Sequence, residues 1–134
     1  MKTANLYTKL KGKHKTTIKN ISGLTLLWCM KNWGLNKRRT ADINLTLDFA
    51  NKPGNSGEYY YQANTIVVYV KHNRNVRDLI DTIIHEFTHQ RQAISGYEKM
   101  LKTFGYDAHP LEQEAVATAK EFRRQCWKEI KSLL

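Results

Sequence analysis

The stretch His85-Glu86-Phe87-Thr88-His89 constrains the fold of this chain more than any other. Residues four apart lie one above the other on a helix, so both imidazoles reach one metal ion if this stretch is helical. The flanking pattern agrees. A start near Asn75, Asp78 in the first turn, and apolar residues at 76, 79, 80, 83, 84, 87 and 94 predict a helix ended by Gly96. Stepping about 100° per residue from Ile80, the apolar stripe centres near −30°, whereas His85 falls at about 140° and His89 at about 180°. The histidines therefore look away from the core, into solvent or into a cleft closed by another element. A catalytic zinc site takes three protein ligands and keeps one position open for water. The fold must then bring a further ligand over the histidine face. Glu86 is the candidate general base, placed to take a proton from an activated water.

Candidates for the third ligand are Glu98, Asp107, His109, Glu112 and Glu114. Gln92 and Ser95 stand three and six residues after His89, which excludes a His-x-x-Gly-x-x-His continuation. Pro110 suits the first position of a last helix. On that helix Leu111, Ala115, Ala119, Phe122, Cys126, Ile130 and Leu133 form a second apolar stripe. Glu112 lies about 60° from its centre and Glu114 about 100° away. A carboxylate on the flank of the stripe is held near the packed interface, so Glu112 is preferred and Glu114 is the reserve.

The remaining segments set the fold class. Ser22 to Trp33 reads as a helix with Ser22 as N-cap and Gly34 as stop. Ile43, Leu45, Leu47 and Phe49 alternate with polar residues, the pattern of a half-buried strand. Asn51 to Gly57 reads as a turn. Glu58–Gln62 and Thr65–Val70 read as a hairpin around Ala63-Asn64. Tyr97 to His109 reads as a loop. Helix, strands, helix, helix predicts an α+β fold with a small antiparallel sheet. At 134 residues and 41% apolar content, one domain with a real core is expected. No run approaches the about 20 apolar residues of a membrane-spanning helix. No apolar stretch follows the first lysine, so no secretory signal is read. Cys29 and Cys126 make no disulfide framework, which favours a reduced, cytoplasmic setting.

Net charge adds a second theme. The whole formal +10 resides in residues 1–40, which hold ten Lys and Arg and no Asp or Glu. From Ala41 onward, twelve basic residues balance twelve acidic ones. Residues 1–19 show weak apolar periodicity and are expected to be partly ordered at best. The basic head reads as a localising or substrate-steering appendage whose deletion (residues 1–19) leaves zinc binding intact. Lys11, Lys13 and Arg38-Arg39, with Trp28 and Trp33 nearby, are candidates for a nucleic-acid surface.

The chain resembles small zinc metallopeptidases of the gluzincin type, among them the compact HExxH domains of phages and bacterial mobile elements and the ImmA/IrrE-type peptidase domains. The residues that carry the resemblance are His85-Glu-Phe-Thr-His89 and Glu112-Gln-Glu-Ala115, an E-x-x-A. The resemblance covers roughly residues 58–125. It implies a zincin-like fold, Zn²⁺ held by His85, His89 and Glu112, and a peptide or protein substrate hydrolysed with Glu86 as base. It also implies that the edge strand Thr65–Val70 lies above the cleft and pairs with an extended peptide. Many gluzincins carry Asp or Asn one turn after the ligand glutamate. That position is Val116 for Glu112 and the polar Thr118 for Glu114, so both glutamates stand as candidates. Tyr97, Tyr106 and His109 are candidate donors to the oxyanion. The rival reading is a nucleic-acid-binding or regulatory protein with a structural or inactive zinc site.

Overall fold

The computed structural model describes residues 4–36, 42–92 and 97–134. The elements in chain order are α1 (Lys15–Trp33), β1 (Asn44–Asp48), β2 (Gly57–Tyr60), β3 (Thr65–Tyr69), a short 3₁₀ turn (Val70–His72), α2 (Val76–Arg91), α3 (Tyr97–Phe104) and α4 (Pro110–Lys131). The class is α+β, with a three-stranded sheet packed on a helical layer in which α2 lies against α1 and α4.

The sheet is mixed, not antiparallel. Its order is β1-β3-β2, with β2 antiparallel to β3 and β1 parallel to it. Alternation along β1 shows which face is buried but not which strand is its neighbour or in which direction it runs. The segment 49–56 carries the chain past β3, and β3 then returns into the gap. Thr65–Tyr69 is therefore the central strand, not the edge that was expected of Thr65–Val70, and the edge position belongs to its neighbour β2. Composition is consistent with this afterwards. Ile66 and Val68 are fully buried in an almost continuous β-branched run, whereas β2 reads Gly-Glu-Tyr-Tyr.

One glycine sets how closely β2 approaches the helices. A Cβ on Gly57 would stand 2.4 Å from Thr82 Cγ2 and 3.1 Å from the Val67 carbonyl oxygen. The same Cβ would stand 3.5 Å from Glu86 Cγ, so only glycine allows the edge strand to lie directly on α2 at this level.

The apolar stripe of α2 behaves as expected: Val76, Leu79, Ile80, Ile83, Ile84 and Phe87 are all fully buried. The Asn75 side chain accepts from the Asp78 amide and caps the helix. The helix stops at Arg91, and Gln92 is its C-cap, ahead of the expected Gly96. Ile94 and Gly96 lie outside the described residues. In α4, Ala115 and Ala119 are buried, as are Cys126 and Ile130, but Leu133 lies beyond the helix and is exposed. The two alanines occupy one face a turn apart, and their small side chains let α4 lie close to α2.

Three further expectations are revised. First, α1 begins at Lys15, seven residues before Ser22. The buried Ser22 hydroxyl donates to the Ile18 carbonyl one turn back, so it serves the helix interior and caps nothing. Gly34 does end α1, with φ 72° and its amide on the Met30 carbonyl. Second, the Tyr97–His109 stretch contains α3.

Third, the N-terminal segment is integral to the fold. Ala4, Leu6, Leu10 and Ile18 belong to the core. The Thr8 and Leu6 carbonyls accept from the amides of Val76 and Arg77, and the Leu10 amide donates to the Arg74 carbonyl. The head thus satisfies amides in the first turn of α2 that the helix itself leaves without partners. It is not an appendage.

Candidate metal centre

The second half of α2 places His85, Glu86 and His89 together. One donor atom from each lies within 4.8 Å of the others. The start of α4 supplies Glu112, which spans the two imidazoles. Its Oε2 is 2.9 Å from His85 Nε2 and its Oε1 is 2.9 Å from His89 Nε2. The two Nε2 atoms are 3.2 Å apart. With zinc–nitrogen bonds of about 2.0–2.1 Å, two nitrogens in a tetrahedral set stand roughly 3.3 Å apart, so this spacing suits one ion.

The hydrogen bonds around His89 sharpen the argument. The Gln92 amide nitrogen donates to the Leu111 carbonyl at 2.9 Å and to Glu114 Oε1 at 3.2 Å. Two acceptors on that side fix the orientation of the amide, so its oxygen is the atom 2.7 Å from His89 Nδ1. Nδ1 therefore carries the proton. In neutral His89 this leaves a lone pair on Nε2, which stands 2.9 Å from a carboxylate oxygen. Two electron-rich atoms at that distance need a cation between them, either a proton or a metal ion. The donor set of two imidazoles and one carboxylate fits zinc.

The electrostatics follow. Burial alone would raise the Glu112 carboxyl, but hydrogen bonds from His85, His89 and Tyr97 hold it well below the usual carboxylate range. Burial disfavours the charged form of His89, but Glu112 and Gln92 outweigh it and raise the pKa. Glu86 is only 8% exposed, and its carboxyl is raised by burial against the pull of His85 and His89. A carboxyl poised above its ordinary range suits a group that must take up and release a proton.

The structure separates the other candidates. Glu114 is exposed and turned to Gln92. Thr118, its polar neighbour one turn on, donates to the Glu114 carbonyl. Glu98 and Asp107 are exposed. His109 is fully buried and consumed locally: its Nδ1 accepts from the Leu111 amide as the N-cap of α4, and its Nε2 donates to the Tyr97 carbonyl. It is therefore no oxyanion donor. Tyr97 donates its hydroxyl to Glu112 Oε1 at 2.9 Å. Tyr106 stays at the mouth of the site, half-exposed, where partial burial and the Glu112 charge push its pKa up to about 12. Gln92 is the residue that sequence reasoning passed over. It entered only as a failed ligand position, although three residues after His89 is a position on the same helix face.

A cleft of about 440 Å³ opens over this centre, walled by β2 on one side and by Tyr97, Tyr106 and Leu111 on the other. Glu86, His89 and Glu112 form its floor, and Tyr59, Tyr60 and Tyr61 line the β2 side. Among the described residues β2 pairs only with β3, which leaves its outer edge unpaired at the cleft.

Among the described residues no helix is long and apolar enough to cross a membrane. Cys29 and Cys126 are both buried and free. Comparison with protein-family models, with curated proteins and with solved structures returns no match.

Proposed function

We propose that the chain is a zincin-like, zinc-dependent metallopeptidase of the gluzincin type. The observation that carries this reading is the closed triangle of His85 Nε2, His89 Nε2 and Glu112, in which Gln92 turns the His89 lone pair toward a carboxylate oxygen. His85, His89 and Glu112 hold the ion. When bound, zinc supplies Lewis-acid activation of water and of a substrate carbonyl.

The chain's own residues supply the rest. Glu86 takes the proton of the attacking water and passes it to the leaving amine. Tyr106, half-exposed at the cleft mouth, donates to the developing oxyanion. The free edge of β2 pairs with an extended peptide backbone, and the tyrosines beside it contact the peptide's side chains. This role passes from the strand Thr65–Tyr69, whose two edges are both occupied.

Zinc analysis of the purified protein, together with mass spectrometry of a digested peptide library, tests the reading. The expected result is about one zinc per chain, lost in His85→Ala. Glu86→Gln should keep the metal and lose hydrolysis by at least about 10²-fold. A metal-free wild type that cannot be loaded would overturn the site. Bound zinc without cleavage of any peptide would favour a structural or regulatory centre instead.

A further inference from the structure

A second concavity is larger than the metal cleft. A groove of about 1110 Å³ lies at the opposite end of α2, and the two share no lining residue. Lys9, Lys11, Lys13 and Lys15 enter it from the N-terminal segment. Lys71, Arg74 and Arg77 enter it from the 3₁₀ turn and the start of α2. No Asp or Glu lines it. Asp78 pairs with Arg74 and Arg77 at 3.3 and 3.4 Å, and Asp81 also acts on Arg77 from the next turn of α2. Two carboxylates against seven cations leave most of the array uncompensated.

The cations are mounted, not trailing. The buried side chains of Leu6 and Leu10 and the main-chain bonds to residues 74, 76 and 77 pin the segment that carries them. Two aromatic rings interleave with the charges. Tyr7 is 61% exposed beneath the Arg77 guanidinium, 5.8 Å from ring centroid to carbon, and Phe49 lies 5.0 Å under the Lys15 ammonium.

We infer that this groove binds single-stranded nucleic acid. Lysines and arginines neutralise the phosphates, and the Tyr7 ring offers a face for an unstacked base. An anionic membrane fits less well, because the aliphatic groups of the lining, Leu10, Ile18 and Val70, are buried and nothing apolar beyond Tyr7 projects to enter a bilayer. A duplex offers phosphates but no free base face. Of the two tryptophans expected to contribute, Trp28 is buried and Trp33 packs between Trp28, Phe87 and Phe122. Arg38 and Arg39 lie outside the described residues. The inference is independent of the peptidase reading, because it uses none of the cleft residues.

Fluorescence anisotropy of the full-length protein tests it, after high-salt removal of any co-purified nucleic acid. The probes are labelled twenty-nucleotide oligothymidylate, a duplex of the same length, and phosphatidylcholine–phosphatidylserine vesicles. Expected is tightest binding to the oligothymidylate. If four to seven phosphates are engaged, log affinity should fall against log salt with a slope of about −3 to −5. Lys11→Glu/Lys13→Glu should cost at least about tenfold, and Tyr7→Ala about tenfold, with zinc content unchanged. Lys71→Glu, a single exposed position, repeats the charge test should the double variant fail to fold. No binding at low salt, equal or tighter binding to duplex or vesicles, or indifference to these charge reversals overturns the inference. An unchanged affinity in Tyr7→Ala overturns the single-strand assignment.

Discussion

The two ends of α2 hold chemically opposite sites. At the C-terminal end the groups are buried and committed: His89 to Gln92 and Glu112, Glu112 to both histidines and Tyr97, Gln92 to Leu111 and Glu114. At the N-terminal end the groups are exposed lysines, joined by Arg74 and Arg77 in surface pairs with Asp78. The first site depends on angles and distances of a few tenths of an ångström. The second depends on summed charge, and each residue contributes a modest, interchangeable share. Substitutions should therefore act steeply in one region and gradually in the other. The two are nevertheless joined, because the segment that carries the lysines also closes the first turn of the helix that carries the histidines.

That joint gives the largest expected effect. Removing residues 1–19 takes Leu6, Leu10 and Ile18 out of the core. Each is worth about 1.5–3 kcal/mol, against a total stability of about 5–15 kcal/mol for a domain. The same deletion strips the carbonyl partners from Val76 and Arg77. The truncated chain should lose its cooperative thermal transition and its zinc together. Zinc retained at the wild-type level would separate the two ends and restore the reading of the head as an appendage.

Next in size is the contrast of two glutamates two residues apart. Glu112→Ala should reduce zinc from about one equivalent to background, because it leaves a two-ligand site. Glu114→Ala should leave zinc near full occupancy, since it removes only one acceptor of the Gln92 amide. Equal losses would mean that the metal-binding network extends to Glu114.

A smaller effect is expected one step out from the metal. Gln92→Leu removes the acceptor on His89 Nδ1 and should weaken zinc binding by about 10–100-fold, read by competition with a chelator. Gln92→Glu keeps an acceptor there and should recover most of that loss. The nitrogen shifts of His89 in the metal-free protein report the same change directly, as loss of the Nδ1–H tautomer in the leucine variant alone. Identical behaviour of the two variants would reduce Gln92 to a packing residue.

How much of this was legible beforehand depends on what periodicity can carry. The face of α2, its buried stripe and the placement of Glu112, rather than Glu114, beside the histidines all follow from angle, because a helix maps sequence spacing onto direction. The parallel pairing of β1 with β3 did not follow, since a strand's period of two encodes a face and not a neighbour. Ser22 misled because serine is as satisfied inside a helix by the carbonyl four residues back as at its start. The head misled because lysines dominate residues 1–19, although Leu6, Leu10 and Ile18 suffice to anchor it. Counting charge by segment also hid Lys71, Arg74 and Arg77, which the fold brings to the lysines across more than fifty residues. Gln92 was hidden for a different reason: a neutral amide carries no charge or metal-ligand signature.

The smallest expected effect lies between the two ends. Asp81 faces α4, with Oδ2 2.8 Å from Arg123 Nη1 and Oδ1 buried without a partner. Burial raises its carboxyl above the ordinary 3.8, and Arg123 only partly opposes this. A raised acid binds its proton more tightly in the folded than in the unfolded chain. Its contribution to stability therefore falls as pH rises from 3.8 through the folded value, and the cost of the buried charge is complete above that value. Asparagine carries no such cost. Urea melts of metal-free Asp81→Asn and wild type should show the variant faring better, relative to wild type, at neutral pH than near pH 4, by about 1 kcal/mol or less for a partly buried pair. The opposite trend would mean that the Arg123 pair outweighs burial. α2 would then be held to α4 by attraction at this level, midway between a site built on committed partners and one built on free charge.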